Sequence, residues 1–145
     1  MDPPAVTAIL RRVGAQHVRA IWELVDAWNR DDLEGWLSLA HPEIEWSSAT
    51  MRQLEGAERV YRGHAELRRF WEEWRAVWNF EIELLEAREV EGGVFAEGVV
   101  RARGAGSGIS YEQRVGYAVE FEGDLIRRAN SFRDPAEALA ALGET

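Results

Sequence analysis

"ISYEQRVGYAVEFEGDLIRRANSFR", residues 109–133, decides the fold. Tyr111, Gln113, Val115, Tyr117, Val119 and Phe121 occupy every second position, so one face of a long strand carries them all. "EGD" at 122–124 makes a tight turn, and Leu125 to Arg133 forms the next strand. The same pattern continues upstream. "FEIELLEAREVEG" alternates from Phe80 through Ile82 and Leu84, "EGG" at 91–93 turns the chain, and Val94 to Arg103 runs as a strand into "GAGSG" at 104–108. Everything after Trp78 therefore reads as a meander of long antiparallel strands.

The first half reads as helix. Val18, Ile21, Trp22, Val25 and Trp28 give one apolar face to a helix from about Val13 to Asn29. Asp31 is the expected N-cap of a short second helix, with Glu34 as its capping-box partner and Leu33, Trp36, Leu37 and Ala40 buried. Pro42 in "HPE" stops that helix. "EIEWSS" alternates, with Ile44 and Trp46 on one face. Ala49 to Arg62 reads as loop with a short strand near Tyr61. A third helix runs from about His64 to Trp78, and "RRFWEEWRAVW" at 68–78 gives it a stripe of Leu67, Trp71, Trp74 and Trp78 with His64, widened by Phe70 and Val77. At the far end Asp134 caps a short helix that Pro135 opens and Gly143 closes.

Helices gathered on one face of an antiparallel sheet define an α+β layer fold. Strands this long twist, so the expected shape is a cone: a strongly curved antiparallel sheet wrapped around three helices from the N-terminal half, with a short C-terminal helix. The 145 residues suit one domain, 1–145, with an ordered core of about 14–143. That geometry leaves an apolar, Trp-rich pocket between helices and sheet.

Composition narrows the chemistry. Cysteine is absent, which removes disulfides, thiolate nucleophiles and zinc–thiolate sites. Lysine is absent too, since all 17 basic residues are Arg, so Schiff-base chemistry has no amine. The usage fits a GC-rich bacterial genome. Net charge is −9, which repels a phosphate backbone, and no nucleic-acid partner is expected. No apolar run reaches the ~18 residues of a membrane span, and the first residues lack a signal-peptide core, so no membrane partner and a cytoplasmic location are expected. His17, His41 and His64 have no metal-ligand spacing, so no metal and no cofactor is expected.

The order of elements, with four stretches, resembles the SnoaL-like branch of the nuclear transport factor 2-like superfamily. The stretches are "WNRDDLEGWLSLAHPEIEW", "YRGHAELRRFWEEW", "RARGAGSGISYEQRVGYAVEFEGDLIRR" and "DPAEALAALG". The resemblance implies the cone fold and a homodimer packed partly through the sheet. It also implies catalytic patterns from which this chain departs. SnoaL-type cyclases carry an Asp acid/base in the last long strand, where "LIRRANSFR" holds no carboxylate and Ser131 fills the matching slot. Epoxide-hydrolase-like members use an Asp–Arg–Asp set. Arg101 or Arg103 supplies an Arg here, but the final-strand Asp is again missing. Ketosteroid-isomerase-like members need a Tyr and two acids, for which Tyr61, Tyr111, Tyr117, Glu97 and Glu112 are present without a matching motif.

Candidate residues follow from parity. His64, on the Trp stripe, and Glu97 are the candidate catalytic acid/base groups, with a packed histidine and a solvated strand carboxylate as the plain alternatives. Glu97 shares a face with Arg101 and Arg103. Gln113 on an apolar face calls for a buried partner, and Tyr117, Ser131 and Arg133 share its expected inward parity as a polar floor beneath the helices. With Trp46, Tyr61, Trp71 and Trp74 these form the expected ligand site, Trp71 on the cavity wall and Trp78 in plain core. Two readings stand: a binding module for a small apolar or aromatic molecule, or a cofactor-independent isomerase, cyclase or hydrolase acting on an apolar carbonyl or polyketide-like substrate.

Overall fold

In a computed structural model, six strands form one curved sheet in the order β2-β1-β6-β5-β4-β3. The structure describes residues 3–48 and 60–143, and residues 3–13 by backbone alone. The strands are β1 (Ala40–Ser47), β2 (Tyr61–Arg62), β3 (Trp78–Val90), β4 (Gly93–Gly104), β5 (Ser110–Glu122) and β6 (Leu125–Phe132). The helices are α1 (Pro3–Asn29), α2 (Leu33–Ser38), α3 (Gly63–Val77) and α4 (Pro135–Ala141). The meander forms as expected, β3 to β6 pairing antiparallel in sequence order. One pair differs. β1 runs parallel to β6, with a register shift between Ala40 and Glu45 around Pro42. Proline lacks the N–H that a regular ladder would use there. The short strand expected near Tyr61 is β2, and the rest of the loop expected from Ala49 lies outside the described residues.

The main core lies between the concave face of the sheet and α1, α2 and α3. α4 covers the opposite face, where Ala138 and Leu142 pack on Phe95 and Ala118. Gly116 makes that docking close: a Cβ there would stand 2.6 Å from Pro135 Cα and 3.0 Å from Ala138 Cβ. Gly123, at φ +61°, turns β5 into β6. The exposed edge of β3 is partly closed by Asn29, whose amide nitrogen donates to Ile82 O (2.7 Å) and whose amide oxygen accepts from Ile82 N–H (2.9 Å).

Several local expectations are corrected. α1 starts ten residues before Val13, at Pro3. Asp32 rather than Asp31 caps α2, its carboxylate accepting from Gly35 N–H (2.9 Å), because Asp31 takes the left-handed turn at φ +61°. The hydrogen bond to Gly35 is the largest cause holding the Asp32 carboxyl below its ordinary pKa. Trp22 is 46% exposed and Val77 52% exposed, so each lies beyond the edge of the stripe it was assigned to. Leu24 and Ala27 complete the α1 face instead.

Candidate functional site

The curved sheet and the helices enclose an apolar cavity of about 80 Å³. By the same measure one water needs roughly 10–15 Å³, so the space holds several. Leu24, Val25 and Trp28 of α1 line one side, with Trp36 of α2 and Phe70 and Trp74 of α3. Phe80, Ile82 and Leu84 of β3 and Val100 of β4 form the opposite wall. Tyr117 and Val119 of β5, Ala129 and Ser131 of β6, and Trp46 with Ser48 at the end of β1 complete it. Strand alternation places these residues inward, since 80, 82 and 84, then 117 and 119, then 129 and 131 share one face.

The lining has few polar groups. Ser48, Tyr117 and Ser131 bring hydroxyls, and among the described residues no carboxylate, imidazole or guanidinium lines the space. Tyr117 and Ser131 are direct cross-strand partners. Burial pushes the Tyr117 phenol well above its ordinary pKa, so it stays a neutral donor. The buried indole N–H groups of Trp28 and Trp46 have no hydrogen-bond partner among the described residues. Neutral donors in an apolar chamber suit an acceptor such as a carbonyl oxygen. They do not suit proton abstraction.

Of the expected ligand residues, Trp46, Trp74, Tyr117 and Ser131 meet in this cavity. Trp71 does not. Its ring lies 4.7 Å from Trp28 and 4.9 Å from Trp36, and the Arg75 guanidinium covers it at 4.3 Å, so both neighbours and cation use up its surface. Arg75 also lies 4.6 Å over Trp28, donates to Trp28 O and meets Asp31 at 3.6 Å. Desolvation lowers its pKa, yet an arginine there keeps its charge. Tyr61 is buried against Phe70, ring centroids 5.1 Å apart, away from the cavity. Trp78 packs against Phe80 as part of the core, half-buried.

The catalytic candidates fall outside the cavity. His64 Nε2 bonds Ala40 O at 2.8 Å, a packed histidine tying α3 to β1. Glu97 faces outward and pairs with Arg114, while Arg101 bridges Glu83 and Glu112 at 3.3 Å each. Parity explains this: Ala96, Val100 and Ala102 take the inward positions of β4, which turns 97, 101 and 103 out. Gln113 and Arg133 also miss the cavity. Gln113 donates to Arg114 O (2.8 Å) and accepts from the Tyr111 hydroxyl (3.4 Å), and Arg133 is exposed one residue past β6. The residues that sequence reasoning assigned only to core, Val25, Trp28, Trp36, Ile82 and Leu84, are cavity wall. Periodicity marks a side chain as inward but not whether it meets another side chain or a void. Among the described residues no three His, Asp or Glu side chains converge as a metal site would require.

The sequence pattern of the SnoaL-like domain matches residues 7–129. The chain belongs to the SnoaL-like family. Solved structures agree on the fold of this SnoaL-like domain. An NTF2-like protein of unknown function from Burkholderia pseudomallei has a TM-score of 0.72 at 20% identity, over 88% of this chain and 97% of that one. TerC, crystallised with polyporic acid, has a TM-score of 0.71 at 18% identity, over 89% and 99%. An epoxide hydrolase of the LEH-like type from M. tuberculosis has a TM-score of 0.69 at 12% identity, over 89% and 90%. No curated protein matches the chain in sequence. Among the described residues, no helix is long and apolar enough to cross a membrane.

Proposed function

We propose that this SnoaL-like domain binds a small, flat, apolar molecule in the Trp-lined cavity and performs no acid–base chemistry on it. One observation carries this reading: among the described residues the lining is apolar and aromatic apart from neutral hydroxyls. An apolar molecule displaces water from such a space at little polar cost. TerC, which shares this fold, was co-crystallised with polyporic acid, and this supports a small organic molecule as ligand. Titrating the protein with naphthalene while following tryptophan fluorescence tests it, because Trp28, Trp36, Trp46 and Trp74 surround the cavity. Saturable quenching with a rise in melting temperature is expected, and the absence of both overturns the proposal.

A second reading rests on Tyr117. A neutral phenol in an apolar chamber polarises a carbonyl and stabilises charge developing on its oxygen. Solved relatives of the fold include a putative polyketide cyclase and a putative hydroxylase, which keeps a catalytic role in view. Tyr117→Phe separates the readings: it abolishes any turnover of a carbonyl substrate, whereas hydrocarbon binding stays unchanged. The proposal extends to a homodimer packed partly through the sheet. The outer face of β3 to β5 presents Arg101 with Glu83 and Glu112, so light scattering should show a dimer that weakens with salt.

A further inference from the structure

Arg75 of α3 stands behind the cavity wall. Its guanidinium lies 4.6 Å over the ring of Trp28 and 4.3 Å over that of Trp71, and it donates to the backbone oxygen of Trp28 near the end of α1. Trp28 lines the cavity, whereas Arg75 and Trp71 do not, so the cation meets the indole from a side other than the void. The place is a costly one for a charge. The Arg75 side chain is 21% exposed, and its Nε–H has no hydrogen-bond partner among the described residues. The carboxylate it meets, Asp31 at 3.6 Å, is itself mostly in water. Burying a charge with so loose a partner opposes folding. What the guanidinium gains is a hold on Trp28 at two points, ring and backbone. The rings of Trp36 and Phe80 flank the same indole at 5.6 and 6.1 Å. By contrast, Leu24 and Leu84 of the aliphatic lining can change rotamer around a guest.

We infer that Arg75 is a positioning residue: by holding Trp28 as one fixed plane of the cavity, it makes the site select flat rings over puckered ones. This rests on the cavity reading above and adds what sets the shape of the guest. A cation held against an indole face favours one ring orientation over others, and more strongly where it is shielded from water. Without the guanidinium, the space it fills opens behind the wall. Trp28 can then turn into that space, and the cavity loses its flat side while it widens.

Toluene and methylcyclohexane test this, since they share a carbon skeleton and differ in being flat or puckered. The quantity read is the ratio of their dissociation constants, measured by titration calorimetry. Comparing that ratio between the unaltered protein and its variants cancels the difference in hydrophobicity of the probes. Arg75→Leu keeps apolar bulk but removes the cation and its donors. It should shift the ratio about fivefold toward methylcyclohexane, the magnitude of one cation–π contact. Arg75→Gln, which keeps a donor for the Trp28 oxygen without the charge, should shift it the same way and serves if Arg75→Leu does not fold. Arg75→Lys, which keeps the cation, should hold the ratio near that of the unaltered protein. A purely structural arginine would lower the melting temperature of the variants and leave the ratio where it was, and that result overturns the inference while the cavity reading stands. So does a ratio that moves as far with Arg75→Lys as with Arg75→Leu. If neither probe nor naphthalene binds the unaltered protein, the cavity reading fails and takes this inference with it.

Discussion

Ser131 is the residue at which this chain parts from the catalytic pattern that its sequence resembles. It is 5% exposed, lines the cavity and faces Tyr117 across the strands. Ser131→Asp would place a carboxyl among Trp, Val and Ala side chains. Desolvation then raises its folded pKa above the unfolded value of about 3.9. A group with a raised folded pKa binds more protons when folded. The variant should therefore approach normal stability below about pH 4 and lose it as pH rises through the folded value. Urea denaturation at low and neutral pH checks this, and a deficit independent of pH would mean that the new carboxyl reaches water. Parity made Ser131 and Tyr117 legible as inward from sequence. The same parity made Gln113 and Arg133 look like members of the cavity. Alternation tells which face a residue takes and not how far along the strand the void extends.

At the scale of elements, two junctions hold the sheet to its neighbours. Glu45 on β1 reaches Arg62 of β2 at 3.4 Å and Arg128 of β6 at 3.0 Å, so one carboxylate ties three strands. The hydrogen bond from Arg128 is the largest cause keeping the Glu45 pKa low. A lowered folded pKa contributes stability above the unfolded value of about 4.3 and loses it as pH falls through the folded one. Glu45→Gln should cost about 0.5 kcal/mol at neutral pH, a modest figure because solvent screens the pair, and nothing at pH 2. Chemical denaturation at both pH values decides it. The second junction is α4 on the outer face. Gly116→Val pushes a side chain into Pro135 and Ala138, and overpacking of this kind costs about 1–3 kcal/mol. Amide exchange should show α4 opening ahead of β5, and uniform protection would contradict it. Sequence gave no sign of this contact, because a glycine in a strand fits a bulge or a bend as well as a docking site. Register shifts also occur between Leu84 and Glu86, opposite Gly98, and between Glu120 and Phe121. Each arises from sheet curvature, a property of neighbouring strands together.

At the scale of the whole molecule, the core gives up packing at the cavity. Aromatic rings crowd around it, Trp28 5.6 Å from Trp36, Trp36 5.5 Å from Trp46 and Trp74 5.3 Å from Phe80. The sequence, with seven tryptophans in 145 residues, reads as a cone with an apolar, Trp-rich pocket. Large rigid rings tile a curved surface imperfectly and leave a residual void. If that void exists to hold a ligand, filling it separates stability from binding. Ala129 lines the cavity and is 4% exposed. Ala129→Leu adds three carbons directed at the space and should hold or raise the melting temperature of the free protein, by up to about 1 kcal/mol of equivalent stability. The same variant should lose the thermal shift that naphthalene produces, because ligand-linked stabilisation vanishes with affinity. An unaltered shift would place the binding site elsewhere. A lower melting temperature together with a lost shift would mean that the cavity is a rigid, closely fitted chamber, in which Tyr117 and the indoles are held for a ligand of one shape.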